Sequence, residues 1–136
     1  PLFTFEFPLR VYYEDTDAGG IVYHANYLRF MERARTEWLR ALGFEQDALA
    51  VQEGVVFVIV DSALKFVRAA RFNDELTVVS TLERLRGASL EFGQHIVDKA
   101  GRSVCQALNA VACVDRHTLA PRRIPATMLR VLKGAD

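Results

Sequence analysis

The sequence predicts an α+β fold in which one antiparallel β-sheet wraps around a single long helix. Three observations predict it. Residues 24–42 carry apolar side chains at helical spacing. From Val55 to Asp115 the hydrophobic period is two and is broken only by turn residues. One further strand candidate precedes the helix, so a five-stranded sheet has one long helix to enclose.

The elements follow in order. The first strand is expected over residues 5–13, with a turn at Asp17, Ala18, Gly19 and Gly20. In the long helix Tyr27, Met31, Ala34, Trp38 and Leu42 recur every three or four positions, and Leu28, Phe30 and Leu39 widen that face. Gly43 is a natural stop. Glu32, Arg33, Arg35, Glu37 and Arg40 mark the solvent side, with Arg33 and Glu37 spaced for an i,i+4 pair. A short helix is expected over residues 46–52. Strands are expected over 55–67, 75–86, 89–97 and 103–115, separated by turns at 71–74, 87–88 and 99–102. Residues 55–60 are apolar on both faces, the pattern of a strand covered on both sides. In so small a protein the second cover is expected to be another subunit. A last helix over 126–133 follows Pro125.

The chain of 136 residues fits one domain, residues 1–136, with a real core. It is 51% apolar and 25% charged, and its 17 basic and 17 acidic residues give zero formal net charge. That balance offers no electrostatic case for nucleic acid or an anionic membrane surface as the main partner. No stretch approaches the roughly 18 apolar residues a membrane span needs. Residues 1–6 lack the basic and apolar pattern of a leader, so a cytoplasmic location is the expectation. Cys105 and Cys113 lie in one expected strand, roughly 26 Å apart at about 3.3 Å per residue, too far for a disulfide. Both read as small core residues.

The chemistry concentrates in YEDTDAGGIVYHANY at residues 13–27, where acids, a glycine pair and a histidine precede the helix. A carboxylate facing a helix N-terminus across a tight turn can attack or deprotonate, while unpaired N–H groups stabilise a carbonyl oxygen gaining charge. Asp17 reads either as a turn residue or as that carboxylate. On a continuous strand Asp15 and Asp17 would share a face, with Glu14 on the other. His24 reads as a solvated helix-start residue or as a group orienting substrate or water. Its backbone N–H is a candidate oxyanion donor if it lies in the first helical turn. Tyr13 reads as strand packing or a site phenol, Asn26 as an alternative cap, and Glu32 and Glu37 as solvated helix acids. The three histidines, His24, His95 and His117, are scattered, and no metal site is expected. Nucleophile-elbow, P-loop, dinucleotide and zincin signatures are absent.

The same run, continued by Glu32-Arg33-Ala34-Arg35-Thr36-Glu37, resembles the hotdog-fold acyl-CoA thioesterases. The branch is the YbgC-like, Tol-Pal-associated one, related to 4-hydroxybenzoyl-CoA thioesterase. The resemblance extends to residues 66–74, 86–89 and 121–125 and so covers nearly the whole chain. It implies the hotdog fold and hydrolysis of an acyl-CoA to free acid and coenzyme A. Asp17 falls on the family's catalytic aspartate, the second acid of its Asp-x-Asp pair. His24 and Tyr13 fall on positions associated with activity, and the His24 N–H falls where the family polarises the thioester carbonyl. No cofactor is implied, because coenzyme A is part of the substrate; acyl carrier protein is the alternative carrier. The phosphates of coenzyme A call for basic residues, for which Arg86 with Ser89, and Arg122, are the candidates. Family sites form at a dimer interface, often within tetramers, so a homodimer or homotetramer is expected. Two other functions remain: a hotdog hydratase acting on acyl thioesters, and a non-catalytic module binding acyl thioesters or acyl carrier protein.

Overall fold

A computed structural model describes residues 4–134. Residues 1–3, half of the segment read for a leader, lie outside them. The strands are β1 (Thr4–Arg10), β2 (Val55–Phe66), β3 (Glu75–Leu85), β4 (Ser89–Asp98) and β5 (Ser103–Asp115). The helices are α1 (Asn26–Ala41), α2 (Gln46–Gln52) and α3 (Ala126–Leu132). All pairings are antiparallel, in the order β1-β3-β4-β5-β2. The sheet curls around α1, so the expected α+β hotdog arrangement is the one observed.

Helix α1 ends where Gly43 permits it. Gly43 adopts φ 98°, its N–H donates to Arg40 O at 2.9 Å, and the Phe44 N–H donates to Leu39 O at 2.9 Å. Those two bonds satisfy carbonyls that the helix end would otherwise orphan. The buried face of α1 carries Tyr27, Phe30, Met31, Ala34, Trp38 and Leu39. Leu28 is exposed instead, so the apolar face is narrower than its spacing implied.

The core has two apolar halves. One gathers Phe30, Met31 and Ala34 with Leu76, Val78, Ile96 and Cys105. The other gathers Trp38 and Leu39 with Leu82, Phe92, Val111, Cys113 and Met128. Between them Ser80, Gln94 and Asn109, all buried, cross the inner face of β3, β4 and β5. Gln94 organises this belt. Its Nε2 donates to Met31 O and Ser80 Oγ, each at 3.0 Å, and its Oε1 accepts from Arg35 Nη1 at 2.8 Å and Asn109 Nδ2 at 2.9 Å. Arg35 is therefore a half-buried partner of the sheet rather than a solvent-side charge. The expected Arg33–Glu37 pair is also replaced. Glu37 pairs with Arg40, which reaches on to Glu45, while the Arg33 guanidinium lies 6.0 Å from the Phe30 ring centre.

Strand β2 is an edge of the sheet. Val55 is buried, but Ile59 and Val60 are 48% and 60% exposed, and Phe66 and Val67 are exposed as well. Within one chain, the strand that reads as covered on both faces is covered over only part of its length.

Both cysteines are free and buried on β5. Loss of hydration pushes the Cys105 thiol up to about 11 and raises Cys113 in the same direction. The folded protein is accordingly expected to show no rapid reaction with a disulfide-exchange dye near neutral pH, and both thiols to react once it is denatured. Fast titration of either thiol in the native state would contradict this burial.

Candidate active site

The segment from Tyr12 to Asn26 folds back on itself at one end of α1. Strand β1 stops at Arg10, three residues short of the expectation, because Tyr13–Asp15 form a single 3₁₀ turn. Asp15 drives the change: its Oδ2 accepts the Tyr12 N–H at 2.9 Å. Asp15 and Asp17 therefore do not share a strand face. Asp15 is buried and Asp17 is exposed.

Asp17 opens a tight turn. Its N–H donates to Ile21 O at 2.9 Å, its carbonyl accepts the Gly20 N–H at 3.0 Å, and its Oδ1 accepts the Gly19 N–H at 2.8 Å. Gly20 sits at φ 81°, a conformation open to glycine at little cost. Thr16 and Val22 pair across the turn's base, and the Val22 N–H donates to Ala70 O at 2.8 Å. The turn is thus pinned to the segment after β2 while its carboxylate faces solvent.

Helix α1 begins at Asn26, two residues later than expected, after the Asn26 N–H closes a turn onto Tyr23 O at 2.8 Å. Its cap position is Ala25, which supplies no side-chain bond. Asn26 is not a cap: its side chain points back to Asp15. His24 lies just upstream of the helix rather than in its first turn. Among the described residues its N–H has no intramolecular acceptor. The His24 imidazole is exposed among aromatic rings, 4.6 Å from Tyr23 and 6.1 Å edge-on to Phe66. Tyr27, which the helical spacing marked as core, also has a polar task. Its hydroxyl accepts the Ala70 N–H at 3.3 Å, and burial raises its pKa.

Tyr13 is 76% exposed and stacks on Phe72, with ring centres 3.9 Å apart. The two rings line an open cleft of about 560 Å³ with Arg10, Val11, Tyr12, Glu14 and Asn73. A cleft of that size suits a small organic ligand. Phe72 is the residue that reading Tyr13 alone missed; its position in the matched run 66–74 was the available signal.

The proposed phosphate ligands divide. Arg86 and Ser89 close the β3–β4 hairpin through Arg86 N–H to Ser89 O at 2.9 Å and line a groove of about 230 Å³ with Arg84, Val60 and Glu91. Arg122 lies elsewhere and is engaged within the chain. Its Nη1 meets Asp115 Oδ2 at 2.9 Å and its Nη2 donates to Glu53 O at 3.1 Å. Asp115 also accepts the N–H groups of Thr118 and His117, and these backbone bonds, with Arg122, hold its carboxyl down to about 2. A carboxyl depressed below its ordinary 3.8 stabilises the fold above that value and loses the contribution as pH falls toward 2. Asp115→Asn is expected to lower Tm at pH 6, with the gap to wild type closing through this acid range. An equal gap at both ends would mean that the carboxylate charge is not its source. Among the described residues no three His, Cys, Asp or Glu side chains converge as metal ligands, and no helix is long and apolar enough to cross a membrane.

A family model of the thioesterase-like superfamily matches residues 11–132, and that span contains the whole segment just described. The chain belongs to the thioesterase-like superfamily. Within it, the chain is 43% identical over 129 residues to the acyl-CoA thioester hydrolase YbgC of Escherichia coli O6:H1, covering 95% of this chain and 96% of the relative. It is 44% identical over 121 residues to the acyl-CoA thioesterase YbgC of Haemophilus influenzae, covering 89% and 88%. The crystal structure described as a probable thioesterase from Bartonella henselae superposes with a TM-score of 0.86 at 36% identity, over 90% of this chain and all of that one. The YbgC-like resemblance carried by residues 13–27 is therefore shown along nearly the entire chain, and the chain is a thioester hydrolase of this family.

Proposed function

We propose that this thioesterase hydrolyses acyl-CoA, with Asp17 as the catalytic carboxylate and the backbone before α1 polarising the thioester carbonyl. The observation that carries the reading is the exposed Asp17 carboxylate, on a turn pinned to the segment after β2, in the same short run as a His24 N–H that lies just before α1 and lacks an intramolecular acceptor among the described residues. Two routes satisfy that arrangement. In one, Asp17 takes a proton from water and the hydroxide adds to the carbonyl carbon. In the other, a carboxylate oxygen attacks directly, coenzyme A leaves as thiolate, and water hydrolyses the mixed anhydride. In either, the oxyanion is held by N–H donors, and loss of one such donor costs about 3 kcal/mol of transition-state stabilisation. The C–S bond breaks as that oxyanion collapses and the leaving sulfur takes a proton; the exposed His24 ring is assigned to orient water or to help protonate the leaving thiolate.

Tyr13 and Phe72 form one wall of the substrate cleft in this reading. The phosphates of coenzyme A are assigned to Arg86 with Ser89, joined by Arg84 in the same groove; Arg122 is the weaker candidate because Asp115 and Glu53 already engage it. The exposed apolar edge at Ile59, Val60, Phe66 and Val67 supports a homodimer or higher oligomer that covers it.

The test is thiol release across a panel of acyl-CoA and acyl-carrier-protein thioesters, with crotonyl-CoA included. Thiol release from any member supports hydrolysis and names the acyl class and carrier. Loss of enoyl absorbance without thiol would instead indicate a hydratase, and no turnover on any thioester a binding module.

A further inference from the structure

We propose that Asp15 and Asn26 form a positioning clamp that sets the Asp17 turn against the start of α1. The inference rests on the reading of Asp17 as the catalytic carboxylate. Asp15 is two residues before Asp17, and Asn26 is the first residue of α1. Both are almost fully buried, 5% and 6% exposed. Their side chains meet directly: Asn26 Nδ2 donates to Asp15 Oδ1 at 2.6 Å. The other Asp15 oxygen holds the Tyr12 N–H, and its main-chain oxygen holds the Tyr23 N–H at 2.9 Å.

A buried carboxylate is unfavourable unless its oxygens are bonded. Both oxygens of Asp15 are bonded, and the geometry that satisfies them fixes the chain before Asp17 relative to the helix. The clamp has a second consequence. Because the Asn26 amide is directed at Asp15, and Ala25 supplies no cap, no side chain among the described residues caps the first N–H groups of α1; those of Asn26 and Leu28 donate to the main-chain oxygens of Tyr23 and Ala25. One contact thus places the carboxylate turn and keeps the Asn26 side chain away from the His24 N–H just upstream of the helix. Asp15 and Asn26 act through Asp17 and the helix, without touching the reacting atoms.

The test is steady-state hydrolysis by Asn26→Asp, by the reciprocal pair Asp15→Asn with Asn26→Asp, and by Asn26→Ala. Asn26→Asp sets two carboxylates against each other at hydrogen-bond distance. Small displacements of reacting groups cost on the order of 100-fold, so kcat is expected to fall by about that factor. KM should move by less than about threefold, since substrate binding is not the function lost. In the reciprocal pair the new amide accepts the Tyr12 N–H and donates to the new carboxylate, and kcat is expected to return to within about tenfold of wild type. Asn26→Ala removes the donor without adding charge and is read in the same way should Asn26→Asp not fold.

Folded single variants that keep wild-type kcat would overturn the clamp. So would a reciprocal pair that regains the wild-type Tm without regaining kcat, because a purely structural contact behaves that way. Absence of turnover in wild type would remove the catalytic reading and this inference with it. Turnover lost in Asp17→Asn but kept in the Asn26 variants would remove the clamp alone.

Discussion

Asparagine in place of Asp17 is expected to lower kcat for acyl-CoA hydrolysis by about 100-fold or more, which corresponds to about 2.7 kcal/mol of barrier. The substitution is nearly isosteric. The new amide side chain would retain an oxygen for the Gly19 N–H, now 2.8 Å from Asp17 Oδ1, so the turn should persist. What disappears is the negative charge, and with it both the nucleophile and the base. Tm should therefore change little while turnover collapses. Thiol release read with a disulfide-exchange dye is suited to the measurement, because Cys105 and Cys113 are buried and add no fast background. Equal turnover in the two proteins would remove Asp17 from the chemistry and shift attention to a different carboxylate or a binding role. A fall in turnover accompanied by a large fall in Tm would point to the turn instead of the charge.

The largest stability effect is expected from Phe30→Ala, at about 3–5 kcal/mol. Phe30 has no exposed surface and sits on the inward face of α1, in the core half that includes Val78 and Ile96. Its ring meets Tyr27 edge-on at 6.1 Å, a contact that an alanine methyl cannot replace. Removal leaves a void that sheet and helix can close only partly, since α1 is also held through Gln94 to Met31 and Arg35. Against a total stability of roughly 5–15 kcal/mol for a domain of this size, that is a large share. Denaturant titration should show a lower midpoint at an unchanged slope. A loss below about 1 kcal/mol would mean that the two layers collapse onto the void far more freely than their polar anchoring implies.

Much of the architecture is legible in the sequence. Strand β5 was expected over the residues it occupies, and α2 likewise, because period-two alternation and turn residues are local signals. The stop at Gly43 was legible for the same reason. The first strand ends three residues earlier and α1 starts two residues later than the sequence pattern predicts, both around Asp15. A buried carboxylate there overrides strand continuation by capturing the Tyr12 N–H and the Asn26 amide. Arg35 departs from its pattern for an equivalent reason: its helical position reads as solvent-side, yet Gln94 on β4 draws it inward.

Residue order alone was enough for the succession of elements, most of the apolar faces, the family and the run proposed for the chemistry. These depend on spacings within a few residues, where the backbone's periodicity turns composition into direction. The folded arrangement was needed to tell which acid of residues 14, 15 and 17 is buried and which is presented. It was needed as well to show that Arg122 is already paired, that Tyr13 stacks on Phe72, and that the β2 edge stays uncovered. Those outcomes rest on contacts between segments distant in the chain, 11 positions apart for Asp15 and Asn26 and 59 for Arg35 and Gln94. Such contacts form only where the folded path brings two groups together, and no local pattern encodes that approach.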